Sequence, residues 1–276
     1  MKTYLTLSAI ALAAAATLSS GVVVAAEPTP DFTVAYNVGV TSDYRVRGIK
    51  QNNSNPALQG GIDVAHKSGF YVGTWGSTVS DWTAPNSSTN LEVDYYGGYK
   101  TEVAGVALDL GTIYYNYPGV SVSGQAPTGT VSGANFADTH EVYVGATYGP
   151  AALKVSRVMG TNYFAATGPN KSASGTMYYD LTLSQEVMPK LTASVHAGYT
   201  NFKDTAWQTS WDTTTKFSYA DYSVGLAYDY EGYILGVKYY INDAKEGTKA
   251  YAAASGSTDN KNLYRNGLAV SVLKAF

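Results

Sequence analysis

The chain has 276 residues, of which 45% are hydrophobic and only 14% are charged, and its net charge is −3. Low charge together with 25 tyrosines and 28 glycines favours strands and turns over helices. The small net charge argues against a nucleic-acid binder, which would be strongly basic. Cysteine is absent, which excludes a disulfide framework and a thiolate metal site.

The first 26 residues have the organisation of an export signal. Lys2 precedes an apolar run over residues 4–18, and small residues follow up to Ala26. A membrane anchor is the alternative, but this run is short and rich in alanine, whereas a membrane helix needs about 18 or more apolar residues. We therefore predict a signal peptide over residues 1–26 and one domain over residues 27–276.

Most of the sequence after Phe32 alternates with a period of two, which is typical of strands with one apolar and one polar face. In residues 219–230, for example, Tyr222, Val224 and Leu226 share one face, and Asp221 and Ser223 share the other. About twelve such segments are predicted. They cover residues 32–48, 56–66, 69–80, 90–101, 104–117, 139–149, 151–162, 175–187, 190–202, 217–230, 232–243 and 261–276.

The connections between these segments alternate between short and long. Tight turns are predicted near residues 66–69, 102–104, 149–150, 188–189 and 231–232. Longer polar links are predicted at residues 49–55, 81–89, 118–138, 161–174, 203–216 and 244–260. Short periplasmic turns and long extracellular loops are how outer-membrane barrels are built. The sequence therefore predicts an all-β fold, a transmembrane antiparallel up-and-down β-barrel with both termini on the periplasmic side.

A soluble β-sandwich would also alternate, but three features favour the barrel. The segments often reach the roughly 9–11 residues that a tilted transmembrane strand needs. Tyrosines recur near segment ends, as in an interfacial girdle; they are Tyr99, Tyr114, Tyr148, Tyr199, Tyr228 and Tyr230. The chain ends on Phe276 after alternating Val270 and Val272, a pattern similar to the C-terminal signal read by barrel-assembly machinery. Lys274 departs from that signal, although a lysine can snorkel at the rim.

The first third of the chain carries a more specific pattern. Residues 37–49 read NVGVTSDYRVRGI and are followed by Gln51, then by NPALQGG at residues 55–61 and by SGFYVGTWGS at residues 68–77. These motifs resemble the hallmark of the TorF-type porin family, bacterial proteins without an assigned solute. The resemblance covers about residues 37–77, and the later strands match in style only. It implies an outer-membrane location and a barrel fold, but no particular substrate.

If the apolar face meets lipid, the polar face lines the lumen. The residues predicted there include ten acidic and six basic side chains, a mixed lining with a slight acidic excess. The predicted pore-lining residues are Asp43, Arg45, Arg47, Asp63, Trp75, Asp94, Asp109, Glu141, Asp180, His196, Asp221, Lys238 and Arg265. One interpretation is a water-filled pore that selects small polar solutes by charge. The other is a lumen partly closed by salt bridges, because a barrel of about twelve strands lies between filled and open barrels.

Two groups on the predicted lumen face stand out. Asp43, Arg45 and Arg47 are spaced to share one face of the first strand, where they could meet an entering anion or pair with carboxylates across the barrel. Tyr71 and Trp75 also share a face, where they could stack on a ligand or pack a narrow lumen.

Little in the sequence indicates catalysis or a cofactor. The three histidines show no metal-ligand spacing. Ser184 and His196 are predicted on adjacent strands and could form a lipase-like pair, but no nucleophile motif accompanies them. We expect a monomeric or trimeric porin whose partners are outer-membrane lipid, the assembly machinery and a small polar solute. A closed barrel with a structural or surface-interaction role is the alternative.

Overall fold

A computed structural model describes residues 30–52, 54–80, 90–119, 125–126, 129–130, 137–164, 172–203, 218–244 and 263–276. The predicted signal peptide lies outside these residues, as do most of the long predicted connections, including residues 120–124, 127–128 and 131–133. Within the described ranges, no helix has the length and apolar character needed to span a membrane.

Twelve long antiparallel strands close into a barrel, as the alternation predicts. They are β1 (Phe32–Thr41), β4 (Ala57–His66), β5 (Phe70–Thr78), β6 (Leu91–Val103), β7 (Val106–Asn116), β10 (Thr139–Tyr148), β11 (Ala151–Val158), β12 (Met177–Met188), β13 (Leu191–Asn201), β14 (Tyr219–Tyr230), β15 (Tyr233–Asn242) and β16 (Gly267–Ala275). Four two-residue strands form two small ladders, β2 (Arg45–Val46) with β3 (Ile49–Lys50) and β8 (Gln125–Ala126) with β9 (Gly129–Thr130).

The barrel closes where its first and last strands meet. β1 pairs with β4 on one side and with β16 on the other, with Thr41 opposite Ser271 and Asn37 opposite Ala275. Phe276 extends this ladder, because its backbone N–H donates to the Tyr36 carbonyl at 2.9 Å and its ring stacks on Tyr36. Lys274 reaches the Glu231 carbonyl in a short turn, so this lysine is accommodated at the rim.

The outer surface of the barrel is apolar. On β14, Tyr222, Val224 and Leu226 are 43–52% exposed, while Asp221 and Ser223, at alternate positions of the same strand, are buried inside. The same parity holds around the barrel, and all six tyrosines predicted for the interfacial girdle are exposed on the outside. An inverted arrangement, with apolar residues outward and polar residues inward, is that of a barrel surrounded by hydrocarbon.

The ends of the barrel differ as predicted. Tight turns join strands at the end we call the short-turn end, and longer connections join them at the long-loop end. Two predicted segments were too long by more than four residues. The first strand stops at Thr41 rather than residue 48, and the last begins at Gly267 rather than residue 261. The first difference has a large consequence, because residues 42–52 turn into the barrel.

Candidate functional site: a hairpin in the barrel lumen

Residues 42–52, which we call the lumen hairpin, leave β1 and fold inward. The short ladder of β2 and β3 is continued by the Gln51 N–H, which donates to the Tyr44 carbonyl at 2.8 Å. The turn between them is Arg47-Gly48, with φ of 50° and 77°. Positive φ at both central residues is the requirement of a type I′ turn, whose twist suits a two-residue hairpin. Gly48 is also required for space, since an added Cβ would lie 2.7 Å from the Asp221 side chain.

One half of the lumen hairpin is held next to β16. The Ser42 N–H donates to the Val270 carbonyl at 2.8 Å. Arg45 binds the Asp43 carboxylate at 2.7 Å and donates to the Arg265 carbonyl, also at 2.7 Å. Its guanidinium is fully buried, and these contacts fix how the chain enters the lumen.

The tip of the hairpin reaches the opposite wall. The Arg47 guanidinium contacts Glu141 on β10 at 2.7 Å, with the two side chains only 7% and 1% exposed. It also donates to the Tyr163 hydroxyl at 2.7 Å and lies 4.2 Å from the ring centre of Tyr178 on β12. The Tyr219 hydroxyl of β14 donates to the Arg47 carbonyl at 3.0 Å. Contacts to three separate strands therefore place this residue across the lumen.

Tyr44 anchors the middle of the hairpin on β5 and β6. Its hydroxyl donates to the buried Glu92 carboxylate at 3.0 Å, and its ring centre lies 5.6 Å from that of Trp75. Gly61 on β4 makes room for the indole, because a Cβ there would lie 3.0 Å from the Trp75 ring. Motifs separated by some thirty residues in the sequence thus meet in one contact.

An apolar cluster fills the lumen around the hairpin at the long-loop end. We call it the lumen core; among its buried members are Tyr115, Tyr117, Tyr163, Phe164, Tyr219, Leu263 and Tyr264. The ring of Phe164 packs edge-on against Tyr115 and Tyr163, with centroids 4.9 and 4.8 Å apart. The lumen is therefore constricted at this end by the hairpin and by aromatic side chains.

Other tyrosines lie flat against the inner wall where the facing strand carries glycine. The ring of Tyr143 covers Gly111, and that of Tyr96 covers Gly73; a Cβ at either glycine would come within 2.6 Å of the ring. The hydroxyls of inward tyrosines donate hydrogen bonds to lumen carboxylates. Tyr96 donates to Asp63 at 2.8 Å, and Tyr71 donates to Asp109 at 2.7 Å.

His196 lies between two carboxylates on the lumen wall. Its Nε2 is 3.1 Å from Asp221, and its Nδ1 is 3.4 Å from Asp180 and 3.2 Å from the Thr182 hydroxyl. Ser184 is directly opposite Ser194 in the ladder, whereas Thr182 is opposite His196. Both ring nitrogens therefore contact residues other than Ser184, and the geometry gives no support to a serine–histidine pair. Across the described residues, no group of three or more acidic and histidine side chains could hold a metal ion.

Most of the predicted site residues face the lumen. Asp63, Trp75, Asp94, Asp109, Glu141, Asp180, His196, Asp221 and Lys238 lie on inward positions of the strands. The prediction that Asp43, Arg45 and Arg47 share one strand face is wrong, because the chain turns after Thr41 and the positive φ of Arg47 breaks the alternation. Arg265 precedes β16 and is exposed, so it is not on the strand that was predicted to carry it.

Apart from Tyr71, the inward tyrosines were not predicted as lumen residues. Tyrosines near segment ends were predicted to lie at the membrane interface, yet Tyr143, Tyr178 and Tyr219 have the same strand parity as Glu141, Asp180 and Asp221, which were predicted inside. That parity was the available signal.

The model of a family described as a bacterial protein of unknown function (Gcw_chp) matches residues 25–276. The chain belongs to this family. Membership agrees with the resemblance to bacterial proteins without a known role, and the TorF-type assignment remains a prediction. No curated protein matches the sequence significantly.

Several solved porin structures are similar to this member of the family in fold. A NanC porin structure aligns with a TM-score of 0.50 and 8% identity, covering 88% of this chain and 98% of that one. The KdgM porin in complex with disordered oligogalacturonate gives 0.47 and 7% identity, with 88% and 98% covered. OpdK from Pseudomonas aeruginosa gives 0.36 and 12% identity, with 88% and 66% covered. At such low identity the likeness to NanC supports the barrel fold alone.

Proposed function

We propose that this protein is a bacterial outer-membrane channel through which small hydrophilic solutes diffuse passively, past a constriction formed by the lumen hairpin. The observation that carries the proposal is the inverted barrel, which is apolar outside and polar inside around an internal cavity. That combination suits a wall between hydrocarbon and an aqueous path.

The lumen residues support selective passage rather than catalysis. Acidic and basic side chains alternate around the wall, with Asp63, Asp109 and Asp180 near Lys100, Lys154 and Lys238. Charged side chains that line a pore select among solutes by charge. We propose no enzymatic role, since the one serine–histidine pair that the sequence offered has no supporting geometry.

Single-channel recording in planar bilayers tests this function. Refolded protein should give discrete, small conductance steps, and a salt gradient should reveal a preference for one sign of ion. Liposomes containing the protein should swell in small sugars and amino acids. Folded, inserted protein that passes neither ions nor solutes would contradict the proposal.

A closed barrel with a structural or surface-interaction role is the second candidate, and a specific observation favours it. The lumen hairpin touches β6, β10, β12 and β14, and the lumen core surrounds it. Deletion of residues 44–51 separates the two candidates. In a channel the intact protein should conduct and the deletion should increase its conductance. In a barrel closed by the hairpin the intact protein should be silent, and conductance should appear only after the deletion.

A further inference from the structure

The Arg47 guanidinium at the tip of the lumen hairpin lies in a pocket of aromatic side chains, which we call the Arg47 cage. Its central carbon lies 4.2 Å from the ring centre of Tyr178, 5.5 Å from that of Tyr163 and 5.6 Å from that of Phe164. Glu141 and the Tyr163 hydroxyl complete the cage, each 2.7 Å from a guanidinium nitrogen. Aromatic rings together with a carboxylate are the groups by which proteins recognise a guanidinium.

The walls of the cage belong to the barrel and not to the hairpin that fills it. Glu141 lies on β10 and Tyr178 on β12, while Tyr163 and Phe164 lie in the connection that follows β11. The rings of Tyr163 and Phe164 pack edge-on with their centroids 4.8 Å apart, and the Tyr178 hydroxyl donates to a β14 carboxylate at 3.2 Å. Because these contacts do not involve Arg47, the cage should keep its shape when the tip of the hairpin leaves.

Arg47 leaves part of the acceptor capacity of the cage unused. It binds Glu141 through Oε2 only, and Oε1 of this carboxylate is buried without a hydrogen-bond partner among the described residues. The Arg47 backbone is held by the Tyr219 hydroxyl at 3.0 Å, which restricts how its side chain can turn. A guanidinium that turns freely can bind both oxygens of one carboxylate. A free solute can therefore bind Glu141 more completely than the hairpin does.

The charges of the wall near the cage favour a cation. Asp94 on β6 is fully buried, and in the described part of the chain neither of its carboxylate oxygens has a hydrogen-bond partner. Its charge interacts with those of Glu141 and Glu92. Lys154 also acts on Glu141, so this group contains three carboxylates and one ammonium once Arg47 is gone. A cationic solute offsets part of that imbalance.

We propose that the Arg47 cage is a binding site for solutes that carry a guanidinium group, and that Arg47 occupies it as an internal competitor. The inference rests on the proposed channel function and names a class of solute that the channel admits. An arginine-like solute displaces the tip of the hairpin, so binding of the solute and undocking of the hairpin are one event. Because the hairpin must leave first, the intact protein binds the solute more weakly than the empty cage does.

Isothermal titration calorimetry of refolded Arg47→Ala in detergent tests the specificity of the cage. Arginine and citrulline share one carbon skeleton, and citrulline carries an uncharged urea group in place of the guanidinium. Arginine should bind about tenfold or more tightly than citrulline, as expected for a charge-assisted bidentate contact. Lysine, a cation without the planar fork, should bind more weakly than arginine. No binding of arginine, or equal affinity for arginine and either of the other two, would overturn the proposal.

The wild type and a second substitution locate the binding. Arginine should bind the wild type about tenfold or more weakly than Arg47→Ala, because only the wild type has the internal competitor. Adding Glu141→Gln to Arg47→Ala should abolish the preference for arginine over citrulline. Glu102→Gln in the same background is the matched control, because Glu102 is exposed near the short-turn end of β6. Circular dichroism melts establish that each variant is folded. Unchanged preference after Glu141→Gln, or equal affinity of wild type and Arg47→Ala, would refute the site as assigned.

Hydrogen exchange tests whether the solute displaces the hairpin. The Gln51 N–H donates to the Tyr44 carbonyl in the docked hairpin, and in the wild type it should exchange faster with saturating arginine than with the same concentration of citrulline. Equal exchange with the two solutes would refute the displacement.

The calorimetry and the conductance measurements can fail separately. Binding of arginine by a protein that conducts no ions would keep the site and refute the channel. Ion conductance without any binding of arginine would keep the channel and refute the site.

Discussion

Replacing Arg47 with alanine should release the lumen hairpin. In the folded chain the Arg47–Glu141 pair is nearly inaccessible to solvent, at 2.7 Å with 7% and 1% of the side chains exposed. Removing one partner of a buried ion pair costs about 3–5 kcal/mol, because the other charge is left without compensation. The hairpin can avoid much of that cost by leaving the lumen and letting water reach Glu141. We expect Arg47→Ala to shift the equilibrium toward the undocked hairpin by about a hundredfold or more, at roughly 1.4 kcal/mol per tenfold.

Planar-bilayer recording and hydrogen exchange measure this shift. Arg47→Ala should show larger or longer conductance steps than the wild type, and the Gln51 amide, which is bonded to the Tyr44 carbonyl, should exchange faster. Arg157→Ala is the matched control, because Arg157 is exposed on the barrel surface. Identical conductance and exchange in Arg47→Ala and Arg157→Ala would refute the reasoning.

A double substitution tests whether the Arg47–Glu141 ion pair is what holds the hairpin tip in the lumen. Arg47→Met combined with Glu141→Leu removes both charges and keeps apolar bulk, a change that is often neutral or stabilising at buried pairs. Its hairpin should therefore stay docked more firmly than that of Arg47→Ala. If the double variant opens as far as the single one, the ion pair is not what holds the tip.

Three further substitutions test the packing and the environment of the barrel wall. Val224→Arg places a charge midway along β14 on the outer face and should destabilise the barrel in lipid vesicles by about 2–4 kcal/mol in urea titrations; no loss would mean that this face does not meet hydrocarbon. Asp94→Asn should raise the melting temperature, because both carboxylate oxygens are buried without a hydrogen-bond partner and the amide removes a buried charge; a lower melting temperature would contradict this. Gly111→Ala should lower stability by about 1–3 kcal/mol, since its Cβ would lie 2.5 Å from the Tyr143 ring, whereas at Gly145 the nearest atom is 3.6 Å away. Equal melting temperatures for Gly111→Ala and Gly145→Ala would show that Tyr143 does not depend on the glycine.

Alternation was enough to predict the barrel because it reports a local property, the two faces of a strand. The connection lengths predicted the order of the strands, since two strands joined by a tight turn must pair with each other in antiparallel orientation. The parity of Asp221 and Ser223 on β14 therefore predicted that both side chains point inward, and both are buried there. The outward tyrosines could be predicted from the same local pattern, because they lie at the ends of otherwise apolar strand faces.

Alternation failed at residues 42–52 for a physical reason. The short strands of the lumen hairpin are themselves extended. Ser42 interrupts the apolar face of β1, but Tyr44 and Val46 resume the same period, so the pattern predicts one long strand. What distinguishes a hairpin from a continuing strand is the pair of positive φ angles at Arg47 and Gly48. An Arg-Gly pair allows that turn but does not require it, and the contacts that favour it come from Glu141 and Tyr219, roughly a hundred residues or more away.

The residues that carry the family resemblance therefore have a role beyond the fold. A barrel needs alternation and turns, and many sequences supply both. The motif residues have a more specific role in positioning the lumen hairpin. Tyr44 packs against Trp75, and Gly48 and Gly61 leave the space that the tip and the indole occupy. An extra Cβ at Gly48 would push the tip off Asp221, and an extra Cβ at Gly61 would push Trp75 into Tyr44. Substitutions at these positions should leave the twelve strands intact while releasing the hairpin, which we expect to raise the conductance measured in planar bilayers.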